Sequence, residues 1–256
     1  MLYVDSLSSL LNGPEQWVLY FTCALLIGMS KTGIQNIGTL AVPLFVFLFG
    51  AKASTGMVLL LLAMADLLAV VYYRKRLLWK EVLKLLPMAL IGLLTGLIMG
   101  NYISDKTFKI LMAICLLVGI GIMIWLERVH PDKQSQLTQK RWYAPVFGFI
   151  MGFSTMIGNA AGPALSVYLL SRKMDKFTFV ATGAWFIMLL NYIKIPLQVF
   201  VWHNVTWEGV KLNLMAFPFI VIGGIIGIQL VKILPEKVFK IIIMILVLLS
   251  CVAMIR

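Results

Sequence analysis

The chain is expected to be an all-α integral membrane protein made of two inverted repeats, and three observations predict it. Hydrophobic residues fill 61% and charged residues 12% of its 256 positions, against roughly 45–50% and 25% in a water-soluble domain. Apolar runs such as 57–73, 108–126 and 239–255 are long enough, or nearly so, for a ~30 Å hydrocarbon core. Segments also recur in order: Gly28-Met29-Ser30 returns as Gly152-Phe153-Ser154, and Gly38 as Gly162, both 124 residues later. Further on, Asp105-Lys106-Thr107-Phe108-Lys109 returns as Glu236-Lys237-Val238-Phe239-Lys240, 131 residues later.

The first element is a broken region over 17–50. The polar, glycine-bearing stretch from Ser30 to Gly38 divides it into arms at 17–30 and 39–50. At 1.5 Å per residue each arm reaches only ~18–21 Å, so a pair of half-helices fits better than a crossing. Full spans follow near 54–73, 82–100 and 107–126, which completes a first repeat over 1–126. A polar linker, 127–141, leads to the second repeat, 142–256. There a broken region over 142–171, interrupted between Ser154 and Gly162, precedes spans near 177–199, 208–230 and 236–255. Trp17, Trp79, Trp142, Trp202 and Trp207 fall at span ends, as interfacial anchors should. Gly92, Gly96 and Gly100, echoed by Gly223 and Gly227, form small-residue faces for close helix packing.

Basic residues orient this layout. If the N-terminus lies outside and each broken region returns to its own side, the inside loops hold fifteen of them. These are Arg74, Lys75, Arg76, Lys80, Lys84, Arg128, Lys133, Lys140, Arg141, Arg172, Lys173, Lys176, Lys232, Lys237 and Lys240. Only Lys52, Lys106, Lys109, Lys211 and Arg256 fall outside, the asymmetry that cytoplasmic loops carry. The linker is then cytoplasmic, and the second repeat enters from the side opposite to the first. Inverted repeats of this kind mark secondary transporters, with the site where the repeats meet. Met1 to Gln16 has no Lys or Arg, so no cleaved signal segment is expected.

The breaks hold the candidate binding residues. A charged side chain at membrane depth needs a partner or a wet cavity, which singles out Lys31. Irregular backbone is tolerated there only inside protein or around water. Helix N-termini near Gly38 and Gly162 would point their positive ends into the breaks. Thr32, Gln35, Asn36, Ser154, Thr155 and Asn159 add hydrogen-bond donors. Two N-termini, an ammonium, hydroxyls and amides suit a small oxyanion, whereas pure helix packing is the alternative role for the small residues. Asp66 and Lys194 are the other ionisable groups well inside spans. Asp66 could carry a coupling proton and Lys194 could bind substrate, or the two could pair to fix helix packing.

Several function classes lack support. The net charge of +12 sits in short loops, which argues against nucleic acid. Cys23, Cys115 and Cys251 lie in apolar runs without CxxC spacing, and His130 and His203 sit in separate loops, so neither metal nor cofactor is expected. No P-loop is present. Expected partners are a small anion, protons and the lipid bilayer, with a homodimer as a further option.

These residues resemble the TauE/SafE group of sulfite exporters and related anion permeases. The resemblance rests on Gly28-Met29-Ser30-Lys31-Thr32-Gly33 through Ala41-Val42-Pro43-Leu44, and on Gly152-Phe153-Ser154 through Asn159-Ala160-Ala161-Gly162-Pro163. It implies export or uptake of sulfite, organosulfonates or similar anions across the inner membrane, driven by the proton gradient. An anion channel with the same broken-helix pore is the alternative reading, and a membrane-embedded enzyme a more distant one.

Overall fold

The computed structural model describes residues 13–33, 37–104, 140–172 and 174–235 continuously, with scattered positions in 10–11, 106–118 and 238–245. Every regular element in the described residues is helical. The helices are α1 (Pro14–Thr32), α2 (Ala41–Phe49, entered through a 3-10 turn at Ile37–Leu40), α3 (Ala51–Tyr73) and α4 (Trp79–Tyr102). They continue as α5 (Tyr143–Gly158), α6 (Gly162–Ser171), α7 (Lys176–Phe200) and α8 (Trp207–Ile233). Helices α3, α4, α7 and α8 are long and apolar enough to cross a membrane, at the places the hydropathy predicts. The predicted spans 107–126 and 236–255 lie largely outside the described residues.

The helix starts follow from local chemistry. Asp175 accepts hydrogen bonds from the amides of Phe177 and Thr178 at the head of α7, and Thr206 Oγ1 accepts from Gly209 N at the head of α8, which satisfies amides a helix start leaves open. Pro87, Pro196 and Pro218 lie within α4, α7 and α8, as membrane helices tolerate when neighbours take up the freed carbonyls.

Both broken regions appear, but less symmetrically than predicted. Helix α1 continues through Lys31 and Thr32 to a length of 19 residues, about 28 Å at 1.5 Å per residue, so the first arm nearly crosses the core. It is the return arm that is short. The helix runs on because both residues find partners: Lys31 pairs with Asp66, and Thr32 Oγ1 bonds Gly28 O and Gly224 O. In the second region the helix holds through Ser154 and Thr155, and the break narrows to Asn159–Ala161. Asn159 takes φ 53 there, a left-handed conformation its short side chain tolerates. The amide of Ala160 then reaches back to Ser154 O at 3.2 Å and closes the helix end.

Packing follows a reciprocal scheme. The strongest pairings are α1 with α8, α4 with α5, and α3 with α7. Glycines set the first two. A Cβ on Gly28 would stand 2.2 Å from Ile220 O, and one on Gly223 2.1 Å from Leu25 O. The other pair repeats the pattern: Gly152 faces Ala89 O at 1.8 Å, and Gly92 faces Phe149 O at 2.2 Å. These contacts superpose under the 124- and 131-residue spacings of the sequence repeat. Partners in each pair run in the same direction, since Gly28 meets Ile220 and Gly33 meets Gly227. Helices α3 and α7 run oppositely, with Thr55 against Gln198 and Asp66 against Asn191.

Among the described residues two large buried cores result, one formed mainly by α1, α2, α3 and α8 and the other mainly by α4 to α7, with a small third cluster of Ala69, Val70 and Ala184 between α3 and α7. Each draws on both sequence repeats. Gly100 and Trp202 pack against each other. Gly100 seats the ring of Trp202, and Trp202 Nε1 donates to Leu97 O at 3.2 Å, so this tryptophan is half-buried just beyond the end of α7.

Candidate functional site

The end of α1 is pinned on one side and presents a cation on the other. Gly33 closes against Gly227, where a Cβ would come within 2.6 Å of backbone. Thr32 Oγ1 donates to Gly224 O at 2.7 Å, and the Thr32 carbonyl accepts from the Tyr73 hydroxyl at 2.7 Å. Thr32 is therefore a clamp, and its side chain lies away from the cavity described below. Lys31 points across to α3, where its Nζ meets Asp66 Oδ1 at 2.6 Å. Asp66 Oδ2 accepts from Asn191 Nδ2 of α7 at 2.6 Å. Asp66 is fully buried, whereas Lys31 keeps 12% of its side chain exposed.

The second break is held by the other buried lysine. Lys194 is fully buried, and its Nζ donates to Thr155 O at 2.7 Å, to Thr155 Oγ1 at 3.3 Å and to Asn159 Oδ1. An ammonium there meets the negative end of the α5 dipole. Three acceptors use all three of its protons. The Asp66–Lys194 pair considered from sequence does not form: Asp66 pairs with Lys31, because α1 rather than α7 brings an ammonium to it. Asn159 Nδ2 continues outward to Thr55 O at 3.1 Å, and Asn204 Nδ2 binds Thr55 Oγ1 at 2.9 Å.

Between the breaks lies a cavity of about 60 Å³, room for a few waters or one small oxyanion. The first break lends Ser30, Lys31, Gly38 and Val42; the second lends Thr155, Asn159, Ala161, Gly162 and Leu165. Helices α3 and α7 add Val58, Leu62, Gly183, Ala184, Ile187 and Asn191. The start of α6 lines this space through Gly162, which brings the positive end of its dipole to the cavity, although Pro163 removes one amide donor from the first turn.

The cavity thus gathers Lys31, Gly38, Thr155, Asn159 and Gly162 of the sequence candidates. Asp66 and Lys194 support it from behind, each one hydrogen bond or ion pair from a lining residue. Ser154 turns back to bond Met151 O at 3.3 Å and lies off the cavity. Gln35 and Asn36 fall outside the described residues. Sequence reasoning did not assign Ser30 or Asn191 to the site. The signal for Asn191 was present, as an amide in an apolar span beside the repeat-equivalent of Asp66. Its buried Oδ1 has no hydrogen-bond partner among the described residues.

Charge gives the cluster its chemistry. Lys31 and Lys194 both lie within electrostatic reach of Asp66, the one carboxylate in the cluster among the described residues. Among the described residues the lining holds no acid. Ionisable groups buried at membrane depth are costly unless each is paired or meets water or an anion. The described residues contain no cluster of His, Cys, Asp or Glu suited to a metal.

In comparison with known proteins, the family described as Sulfite exporter TauE/SafE matches residues 20–254, nearly the whole chain. No curated protein and no solved structure matches it.

Proposed function

The chain belongs to the TauE/SafE family of membrane transport proteins, and from that premise we propose a secondary carrier of small sulfur oxyanions coupled to protons. Sulfite and small organosulfonates are the favoured substrates. The observation that carries this reading is the Lys31–Asp66 ion pair beside a small cavity in which Lys31 is the one charged lining residue among those described.

Asp66 and an anion compete for the same ammonium. With the carboxylate bound to Lys31 at 2.6 Å, the strongest cation in the cavity is taken. A proton on Asp66 removes its charge and frees Lys31 for a charge-assisted bond to the substrate. Anion and proton then reside together, and loss of one favours loss of the other. Asn191, already bonded to Asp66, steadies the carboxyl in either state. Thr155, Asn159 and the N-terminus of α6 at Gly162 complete the oxygen-binding shell.

The carrier reading draws on the surroundings of the cavity. One flank is closed by Thr32, Tyr73 and Gly224, the other by Asn159, Thr55 and Asn204. Two closures on opposite sides of one site suit alternating access better than an open pore. The opposed directions of α3 and α7 support an inverted arrangement of the repeats. The basic loops support an inner-membrane orientation with the N-terminus outside. Motion of the α1–α2–α3–α8 core against the α4–α7 core would open the flanks in turn.

Counterflow in proteoliposomes tests the reading. Vesicles preloaded with sulfite, sulfate, thiosulfate or small sulfonates are challenged with labelled sulfite. Saturable, trans-stimulated uptake with sulfite or a sulfonate is expected. Flux that rises linearly without trans-stimulation would mean a channel.

A further inference from the structure

Behind Thr32, on the side away from the anion cavity, a larger hollow of about 850 Å³ opens between the C-terminal parts of α3 and α8. Its walls are apolar, and Leu67, Val71 and Ile225 are 50%, 66% and 53% exposed. On membrane-crossing helices such side chains face acyl chains. At one end of the hollow, α3 gives way to Arg74, Lys75 and Arg76, all exposed and all lining it. Lys232 reaches the ring of Tyr72, a lining residue, with its Nζ 5.6 Å from the centroid. The nearby acid is Asp175, within electrostatic reach of Arg76.

We propose that this groove binds one anionic phospholipid, with an acyl chain along Leu67, Val71 and Ile225 and the phosphate among Arg74, Lys75 and Arg76. Shape and charge both select that occupant. A soluble anion would leave most of the apolar wall uncovered, and a zwitterionic lipid would leave the cations uncompensated. Basic pockets between membrane helices at the water boundary take such headgroups. The groove's floor is Thr32, Tyr73 and Gly224, the same residues that clamp α1 beside Lys31. A bound lipid therefore braces one wall of the transport site. The inference is independent of the transported substrate.

The test is native mass spectrometry of the full chain in neutral detergent, titrated with phosphatidylglycerol or phosphatidylcholine of identical acyl chains. Wild type is expected to retain one phosphatidylglycerol in at least tenfold preference, since each cation near an anionic lipid strengthens binding by roughly fivefold. R74Q/K75Q/R76Q should lose that preference, whereas K80Q/K140Q/R141Q, which removes as many exposed charges elsewhere, should keep it. Val71→Trp fills the groove without touching charge and should also lower retention. Glycerol phosphate, the headgroup alone, should not displace the lipid. All variants must keep the wild-type elution profile and helical spectrum, which excludes misfolding as the cause. Equal retention of the two lipids, or equal loss in both triple variants, overturns the proposal. So does a groove that Val71→Trp disturbs only by splitting a dimer.

Discussion

Removing Lys31 should damage the protein twice, and only one of the two injuries should be repairable. Lys31→Met strands the Asp66 carboxylate, which is fully buried and among the described residues keeps Asn191 as its remaining side-chain partner. Leaving one member of a buried ion pair alone costs about 3–5 kcal/mol. At ~2–4 °C per kcal/mol for a chain of this size, the loss is roughly 10 °C in thermal midpoint. Asp66→Asn leaves the ammonium unpaired, but Lys31 faces the cavity and water can reach it, so that loss should be smaller, about 1–3 kcal/mol. The double variant Lys31→Met/Asp66→Asn carries neither charge and should recover ~0.5–3 kcal/mol relative to the sum of the single losses, the range for residues in direct contact. Anion counterflow should remain lost in the double variant, because no cation lines the cavity. Thermal unfolding in detergent reads the first effect and proteoliposome flux the second. Additive losses of stability would refute the pair; restored transport in the double variant would refute Lys31 as the anion's ligand.

Other perturbations probe the supporting framework. Lys194→Met should lower stability by about 1–3 kcal/mol, because Thr155 O and Asn159 Oδ1 lose their donor, and Asp66→Asn should not rescue it; rescue in a thermal-shift series would restore the Asp66–Lys194 pairing. Gly152→Ala places a Cβ 1.8 Å from Ala89 O and should cost about 1–3 kcal/mol or more as α4 and α5 are forced apart, whereas Gly13→Ala, with nothing within 4 Å, should be near neutral in the same assay. Burial alone would raise the Asp175 carboxyl, but hydrogen bonds from Thr178 and Phe177 and the charge of Arg76 outweigh it and hold it below the usual carboxylate range. Its helix cap is thus complete above the unfolded value near ~3.9 and fades as pH falls through the folded value. The gap of about 1 kcal/mol between wild type and Asp175→Ala should therefore narrow from pH 7 to pH 3 in thermal unfolding.

Much of this was legible in the chain because membranes enforce it. A span must be apolar along its length, so α3, α4, α7 and α8 stand where hydropathy puts them. The repeat spacings carried three-dimensional meaning as well, since the Gly28 and Gly152 crossings obey them. The pairing of charges was not legible. Lys31, Asp66 and Lys194 are separated by long stretches of chain, and which ammonium meets the carboxylate depends on which helix Gly33 and Gly227 draw close. The limits of the breaks were equally hidden. Lys31 and Thr32 look like helix breakers in an apolar context, yet they extend α1 once Asp66, Gly28 and Gly224 satisfy them. Thr32 and Ser154 share composition with true lining residues, and only the rotation of their helices takes them off the cavity.

The central claim is that a proton on Asp66 and an anion on Lys31 travel together, and a pH-sensitive dye inside proteoliposomes tests it directly. With an inward sulfite gradient and no imposed pH gradient, wild type should acidify the lumen in step with saturable anion uptake. Asp66→Asn should retain anion exchange while losing that acidification. Saturable uptake without proton movement in wild type, or undiminished proton movement in Asp66→Asn, would contradict the account.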